Sequence, residues 1–210
     1  MAITANFASD TLFIVGDTVA NSITASRDAV GNILVNNGAV PITGGVPTVG
    51  NTSQIQIGGS DGNDLMVVDE TNGAMPDTGF LGGRGDDVEI GGSGNDTFVW
   101  NPGDGNDTIE GRGGSDTLFF NGANVNENID ISANGARVRF TRDVGAVTMD
   151  VNSVETIAFK ALGGTDRITV NDLSGTHVGK VAVDLQASGG GGDGSADTVI
   201  VNGTAGNDAG

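Results

Sequence analysis

Apolar and polar residues alternate along this chain in short segments that are separated by runs of turn-forming residues. The inward-facing pairs and triplets predicted by period two are Ile129 and Ile131, Val138 and Phe140, Val147, Met149 and Val151, Ile157 and Phe159, and Val181, Val183 and Leu185. Such alternation is typical of half-buried β-strands, and no window of useful length shows helical periodicity. The pattern therefore predicts an all-β chain of short strands and turns.

The centre of the chain repeats this strand-and-turn unit every nine residues, in four copies. The copies are residues 82–90 (GGRGDDVEI), 91–99 (GGSGNDTFV), 102–110 (PGDGNDTIE) and 111–119 (GRGGSDTLF). Position six is always Asp, namely Asp87, Asp96, Asp107 and Asp116, and position eight is apolar in the last three copies, as Phe98, Ile109 and Leu118. In "DTF", "DTI" and "DTL" we expect the Thr to face outward and the apolar residue to face a thin core.

Two places depart from the repeat. Glu89 stands at the apolar position of the first copy, which favours a one-residue slip that turns Val88 and Ile90 inward. Trp100 and Asn101 are inserted between the second and third copies, which predicts a bulged corner or a core plug.

Looser copies lie on both sides of the four central repeats. Asp64, Asp166 and Asp197 occupy position six there, Asn21 takes that position in residues 16–24, and Ser195 replaces the Gly that precedes Asp197. The repeats predict degenerate β coils at 1–57, a regular repeat region at 58–120, a degenerate segment at 121–202, and the start of a further repeat at 203–210. We accordingly expect the chain to be part of a longer protein.

Composition points to cations as partners. The net charge is −18, carried by 22 Asp and 5 Glu, with 37 Gly and no Cys among 210 residues. Asp favours turns, and an acidic field of this size repels nucleic acid and anionic membranes. Without Cys there is neither a disulfide framework nor a thiolate metal site.

Stacking of these repeats would bring position-six carboxylates together. Neighbouring strands lie roughly 4.7–4.9 Å apart, and two carboxylates at about that distance repel by roughly 3–4 kcal/mol at an effective dielectric of 20. Glycine turns expose backbone carbonyls beside them. Carboxylates and carbonyls without His or Cys form a hard-oxygen site that suits Ca²⁺ better than Mg²⁺. Since the core is thin, we expect metal binding and folding to be coupled.

The four repeats resemble the glycine-rich calcium-binding repeats of the RTX (repeats-in-toxin, hemolysin-type) family, whose pattern is GGxGxDx(apolar)x. The resemblance covers about residues 61–120. It implies a parallel β-roll, a form of β-solenoid, with Ca²⁺ held in the turns by position-six Asp side chains and backbone carbonyls. Carried over residue by residue, the metal-binding set is Asp87, Asp96, Asp107 and Asp116, with Gly82, Gly83, Arg84, Gly85, Gly91, Gly92, Ser93, Gly94, Gly103, Asp104, Gly105, Gly111, Gly113 and Gly114, and, from the looser copies, Asp64, Asp166 and Asp197.

The resemblance also implies a bacterial protein that is secreted by a type I route and folds outside the cell, where calcium is plentiful. The chain start, "MAITANFASD", has no basic region or long apolar stretch of the kind found in signal peptides. We therefore expect an extracellular, calcium-binding structural module without a membrane span.

Two other functions are compatible with the sequence. Outward Thr97, Thr108 and Thr117, together with Arg137 and Arg139, suit a calcium-dependent adhesion or carbohydrate-binding face. The chain also suits the non-catalytic repeat region of a secreted polysaccharide-modifying enzyme. Catalysis within the chain is not expected, because it has no Tyr and a single His, which lies in a predicted turn.

Overall fold

The computed structural model describes residues 3–204, which form β-strands, turns and two single turns of 3₁₀-helix, Asn36–Gly38 and Val144–Ala146, with no α-helix in that range. Sheet one contains β1 (Thr4–Ala8), β2 (Thr11–Val15), β5 (Ile42–Thr43), β6 (Gln54–Asp61), β8 (Asp77–Arg84), β10 (Thr97–Trp100), β12 (Thr117–Asn121), β16 (Thr156–Lys160) and β18 (Lys180–Asp184). Sheet two contains β3 (Ser22–Arg27), β4 (Ile33–Val35), β7 (Leu65–Asp69), β9 (Val88–Ile90), β11 (Thr108–Glu110), β13 (Asn128–Asn134), β14 (Arg137–Arg142), β15 (Val147–Asn152), β17 (Arg167–Val170) and β19 (Thr198–Val201).

The prediction of an all-β chain is confirmed: the protein consists of two mostly parallel sheets that do not close into a barrel. Their strand orders are β18-β16-β12-β10-β8-β6-β2-β1-β5 and β19-β17-β13-β14-β15-β11-β9-β7-β3-β4. From β6 to β12 the chain alternates between the sheets with each strand, and each strand pairs in parallel with the strand two places further along. Each pair of nonapeptides therefore adds one strand to each sheet.

The core lies between the two sheets and follows the nine-residue register. Phe98, Ile109 and Leu118 are at most 1% exposed, as the sequence predicted. Their Thr neighbours at position seven are half-buried on the outer faces. One hydrophobic cluster runs from Ala5 to Val170 and crosses the predicted boundaries at 57 and 120. The predicted start of a repeat at 203–210 lies mainly outside the described residues.

Glu89 faces the core, so the predicted one-residue slip is wrong. It pairs with Met66 of β7 on one side and Ile109 of β11 on the other, and it is 2% exposed, whereas Val88 and Ile90 are half-buried. Two in-register neighbours hold the strand in place, because a slip would turn every side chain of β9 to the other face.

Trp100 is a core residue rather than part of an exposed bulge. It is 1% exposed and stacks on Phe120 with ring centroids 4.0 Å apart. Its indole Nε1 donates to the Gly105 carbonyl at 2.9 Å. The insertion therefore fills the corner from inside and fixes the turn that follows, in line with the predicted core plug.

The segment after β12 departs from the alternation that the repeat predicts. β13, β14 and β15 form an antiparallel meander within sheet two, and β15 occupies the place beside β11. Antiparallel pairs also occur near the start of the chain, between β1 and β2 and between β3 and β4. The flanks are thus more varied than stacked parallel coils alone.

Gly114 shows how closely the coils approach. Its φ is +114°, and a Cβ there would lie 1.9 Å from the Gly94 carbonyl oxygen. Gly103 has a similar φ of +108° but no atom within 4 Å. We expect Gly114→Ala to lower the free energy of unfolding by about 2–4 kcal/mol, since it adds overpacking to backbone strain, and Gly103→Ala by only about 1–2 kcal/mol. Urea denaturation in excess Ca²⁺ measures both, and equal losses would contradict the role of the close approach.

Candidate metal centre

Position-six residues form a continuous ladder at the edge where the chain passes from sheet one to sheet two. The Asn21 N–H donates to Asp64 Oδ1 at 2.7 Å, the Asp64 N–H to Asp87 Oδ1 at 2.7 Å, and the Asp87 N–H to Asp107 Oδ1 at 2.9 Å. One carboxylate oxygen of each Asp thus binds the backbone of the preceding coil. We call this set ladder one.

The opposite edge carries a second ladder of the same design. The Thr78 N–H donates to Asp96 Oδ1, the Asp96 N–H to Asp116 Oδ1 and the Asp116 N–H to Glu155 Oε2, each at 2.7 Å. We call these four residues ladder two. The structure thus separates the four central aspartates into two pairs, Asp87 with Asp107 and Asp96 with Asp116.

A third ladder continues beyond the meander, in sheet two. The Glu127 N–H donates to Asp166 Oδ1 at 2.9 Å, and the Asp166 N–H to Asp197 Oδ1 at 3.0 Å. All predicted position-six aspartates therefore lie in ladders. Glu127 and Glu155 also occupy ladder positions that the sequence analysis missed; "GANVNENI" places Glu127 six residues into a turn that begins with Gly122, which was a detectable signal.

The ladder hydrogen bonds leave the second carboxylate oxygen of most aspartates unsatisfied. Oδ2 is buried without a hydrogen-bond partner in Asp64, Asp87, Asp116 and Asp166. In Asp96 it accepts from the Gly92 N–H at 2.7 Å. Buried carboxylate oxygens without donors are costly unless a cation or a proton neutralises them. The ladders therefore present a row of oxygen atoms that are able to bind a cation.

The Oδ2 atoms of Asp64, Asp87, Asp96 and Asp116 each lie beside the glycine that opens the same turn. A Cβ added to Gly59 would lie 2.2 Å from Asp64 Oδ2 and 2.4 Å from the Gly82 carbonyl oxygen of the next coil. A carboxylate oxygen approaches in the same way at Gly82, Gly91 and Gly111, from Asp87, Asp96 and Asp116 at 2.3, 2.4 and 2.4 Å, and at Gly91 and Gly111 a carbonyl oxygen of the next coil is again close. We call each such space a glycine cradle. Carboxylate and carbonyl oxygens that meet at one point are the donor set that Ca²⁺ prefers.

Burial shifts the ladder carboxyls toward the neutral form. The pKa is raised to about 6 for Asp87, Asp96 and Asp166 and to about 7 for Asp107 and Asp116. Desolvation is the main cause, and nearby carboxylates add to it, as Asp87 does for Asp107. The pKa of Asp64 is also raised by burial. Without a cation, Asp107 and Asp116 are therefore only partly ionised at neutral pH.

The remaining predicted ligands lie in the turns that flank the ladders. Gly82, Gly83 and Arg84 end β8, and Gly85 follows; Gly91, Gly92, Ser93 and Gly94 join β9 to β10; Gly103, Asp104 and Gly105 join β10 to β11; Gly111, Gly113 and Gly114 join β11 to β12. The Asp104 carboxylate accepts from the Asn101 N–H at 2.7 Å and so closes its own turn. Among residues 3–204 there is no group of three or more His, Cys, Asp or Glu arranged around a metal position. Any site here would combine one or two carboxylates with backbone carbonyls.

The two predicted sites of the last coils are built differently. Ala161, rather than glycine, opens the turn of Asp166, so a methyl group takes the space of a cradle. Gly192 opens the turn of Asp197, but a Cβ there would meet no atom within 4 Å. These two aspartates therefore keep the ladder hydrogen bonds but lack the converging oxygens of the central turns.

Of the arginine and histidine side chains considered for binding, Arg137 is engaged in ion pairs, whereas Arg139 and His177 are exposed. Arg137 contacts Glu110 at 2.5 Å and Asp150 at 2.6 Å, so it balances acidic charge, while Arg139 is exposed. His177 lies exposed in a bend.

The described residues also include no helix long and apolar enough to cross a membrane. In comparisons with protein-family models, curated proteins and solved structures, nothing matches this chain.

Proposed function

We propose that this chain is a calcium-binding structural module, a β-roll of the RTX type whose glycine cradles hold Ca²⁺ between successive coils. The observation that carries this proposal is the set of buried Oδ2 atoms of Asp64, Asp87 and Asp116, which have no hydrogen-bond partner and each lie beside a glycine cradle. Bound Ca²⁺ would supply the positive charge that ladders one and two otherwise lack. The module would serve a secreted or cell-surface bacterial protein and would itself perform no catalysis.

Calcium fits the cradles better than other common cations. Its ligands are oxygen atoms at about 2.3–2.6 Å, in flexible geometry, with carbonyls accepted as readily as carboxylates. Mg²⁺ retains its waters and requires a tighter octahedral arrangement, which crowded backbone turns do not favour. Zn²⁺ would require nitrogen or sulfur ligands, and the chain has one His and no Cys.

Asp116→Asn tests the site directly. Asp116 is fully buried, and Asn retains an oxygen to accept from the Asp96 N–H while removing the charge. We expect isothermal calorimetry to show fewer bound Ca²⁺ per chain than in the wild type. In chelator we expect the variant to be more stable by about 1–2 kcal/mol, because it no longer carries a desolvated carboxyl, whose charge solvent screens only in part.

Asp172→Asn is the matched control, because Asp172 is exposed in a loop remote from the cradles. It should leave both the Ca²⁺ count and the stability in chelator unchanged. Wild-type protein that binds no Ca²⁺ at millimolar concentration would contradict the proposed function. Equal Ca²⁺ counts for wild type and Asp116→Asn would remove Asp116 from the ligand set.

A flat outer face on sheet one favours adhesion as a second candidate. Leu81, Val99 and Phe119 lie in register across three strands, beside the paired Thr97 and Thr117. Leu81 is 44% exposed and Phe119 is 40% exposed. A regular apolar and hydroxyl surface of this kind suits the faces of sugar rings. Binding of no carbohydrate on a glycan array in the presence of Ca²⁺ would argue against this function.

A further inference from the structure

The cradle at Gly82 differs from the other glycine cradles because a second carboxylate reaches it. A Cβ at Gly82 would lie 2.3 Å from Asp87 Oδ2 and 3.1 Å from Glu89 Oε1. Asp87 is 1% exposed, and its Oδ2 has no hydrogen-bond partner. Two carboxylate oxygens, from positions six and eight of one repeat, therefore converge on one buried point.

Position eight cannot supply a ligand in the neighbouring turns. The equivalent residues are Met66 after the Gly59 cradle, Phe98 after the Gly91 cradle and Leu118 after the Gly111 cradle. Their side chains fill the core between the sheets. Glu89 alone among these four directs oxygen atoms into the space beneath its turn.

In the other cradles the second oxygen is a backbone carbonyl of the next coil, whereas in the Gly82 cradle it is a carboxylate oxygen of Glu89. The nearest carbonyl oxygen of that coil lies 2.4 Å from the Cβ position of Gly59, 2.8 Å from that of Gly91 and 1.9 Å from that of Gly111. At Gly82, Glu89 Oε1 is nearer than any such carbonyl. Leu81 pairs with Val99, so the residue that follows opposite Gly82 is Trp100, the first residue of the insertion. The two departures from the repeat thus meet at one cradle.

We propose that Glu89 is a metal ligand, and that Asp87 and Glu89 form a dicarboxylate cation site in the Gly82 cradle that binds more tightly than the single-carboxylate cradles. This inference rests on the proposed calcium-binding function. The second carboxylate stands in for the carbonyl of the next coil and adds a full negative charge. Because calcium affinity rises with the number of charged ligands, this turn fills first as Ca²⁺ is added.

A merely structural role for Glu89 makes a different prediction. The Gly82 N–H hydrogen bonds to the Glu89 carboxyl, and this bond alone would hold the corner together. Gln retains an oxygen acceptor for that N–H but lacks the charge. Glu89→Gln therefore separates a ligand from a simple acceptor.

The test compares wild type, Glu89→Gln and the control Asp86→Asn by Ca²⁺ calorimetry and Tb³⁺ luminescence excited through the lone Trp. The Trp100 Nε1–H donates a hydrogen bond to the Gly105 carbonyl in the adjoining turn of ladder one. Energy transfer from Trp100 to Tb³⁺ therefore reports mainly on the sites of ladder one. We expect Glu89→Gln to weaken the tightest site at least about tenfold, leaving the others unchanged. Asp86 is exposed, so Asp86→Asn should change affinity less than about threefold.

Glu89→Met serves as a second variant, because Met66 occupies the matching place in the adjacent strand. It should fold in chelator at least as well as wild type and still lack the tightest site. Unchanged affinity of the tightest site in either variant would overturn the role of Glu89 while leaving the proposed function intact. Wild-type protein without any Ca²⁺ binding would overturn both.

Discussion

In excess chelator, the thermal midpoint of the protein is expected to rise as the pH is lowered from 7 to 4, and strand content lost at pH 7 should return. Folded carboxyls such as Asp107 and Asp116 have pKa values raised by burial to about 7, against 3.8 for the ordinary side chain. The folded state therefore binds more protons than the unfolded state between about pH 4 and 7. Stability is greatest below the unfolded pKa and is lost as the pH rises through the folded pKa.

The size of this effect follows from the number of carboxyls involved. Each pKa unit corresponds to about 1.4 kcal/mol, and five ladder aspartates have pKa values raised to about 6 or 7. Even after a discount for solvent screening, their sum is comparable with the total stability of a domain, about 5–15 kcal/mol. The metal-free protein at pH 7 should therefore be largely unfolded.

Carboxyls whose pKa is lowered in the folded state set the lower end of the pH range in which the metal-free protein is stable. Asp28, Asp69 and Asp143 have pKa values lowered by side-chain and backbone hydrogen bonds. Their contribution is present above the unfolded pKa and is lost as the pH falls through their lowered folded values. The stability of the metal-free protein should accordingly peak near pH 4 and decline in stronger acid.

Saturating Ca²⁺ should reverse the direction of the pH dependence. Protons and Ca²⁺ compete for the same carboxylates, so calcium-bound protein should gain stability as the pH rises from 5 to 7. Circular dichroism melts at matched ionic strength, with and without chelator, measure both curves. A chelated protein whose melting temperature rises from pH 4 to pH 7 would contradict this account.

Removal of the Arg142 guanidinium is expected to lower the free energy of unfolding by about 3–5 kcal/mol, the range for a broken buried ion pair. Arg142 Nε contacts Glu127 Oε1, and the two side chains are 4% and 0% exposed. The guanidinium also donates to the Val144 carbonyl at 3.0 Å and lies 5.5 Å from the centroid of the Trp100 ring. Arg142→Ala would leave the buried Glu127 carboxyl without its cationic partner.

Two further variants check the cause of this loss in urea denaturation. The double variant Arg142→Met, Glu127→Leu removes both charges and should recover most of the stability, since apolar replacements of buried pairs are often tolerated. Arg139→Ala, on the same strand but exposed, should cost less than about 0.5 kcal/mol. A double variant as unstable as Arg142→Ala would show that packing against Trp100, not the charge, is what matters.

Arg142 also explains why the turn at Gly122 differs from the central turns. Glu127 holds position six there, and its Oε2 accepts from the Ala123 N–H at 3.0 Å while Oε1 contacts Arg142. Both carboxylate oxygens therefore have partners from the protein itself. In the third ladder, at Glu127, a guanidinium supplies the positive charge that we assign to Ca²⁺ in ladders one and two.

Much of the candidate site was predictable because the information is local. The place of Asp87, Asp96, Asp107 and Asp116 at position six of four nonapeptides identified residues that the structure places in equivalent ladder positions. The alternation at position eight likewise predicted which side chains fill the core. Ladder positions held by Glu, such as Glu127, do not carry the Asp that marks position six in the repeats, so the repeat pattern does not predict them.

The sequence by itself determines the nine-residue repeat and the chemistry of its turns, because both arise within nine residues. A regular repeat has an Asp next to a Gly-rich turn, a Thr that faces outward and an apolar residue that faces inward. The inward direction of Glu89, the antiparallel meander and the pairing of Arg142 with Glu127 were decided only by the tertiary structure. Each depends on strands that are neighbours in space but distant along the chain, such as Met66 and Ile109 on either side of Glu89. Sheet register is set by these long-range pairs, and local patterns carry little information about them.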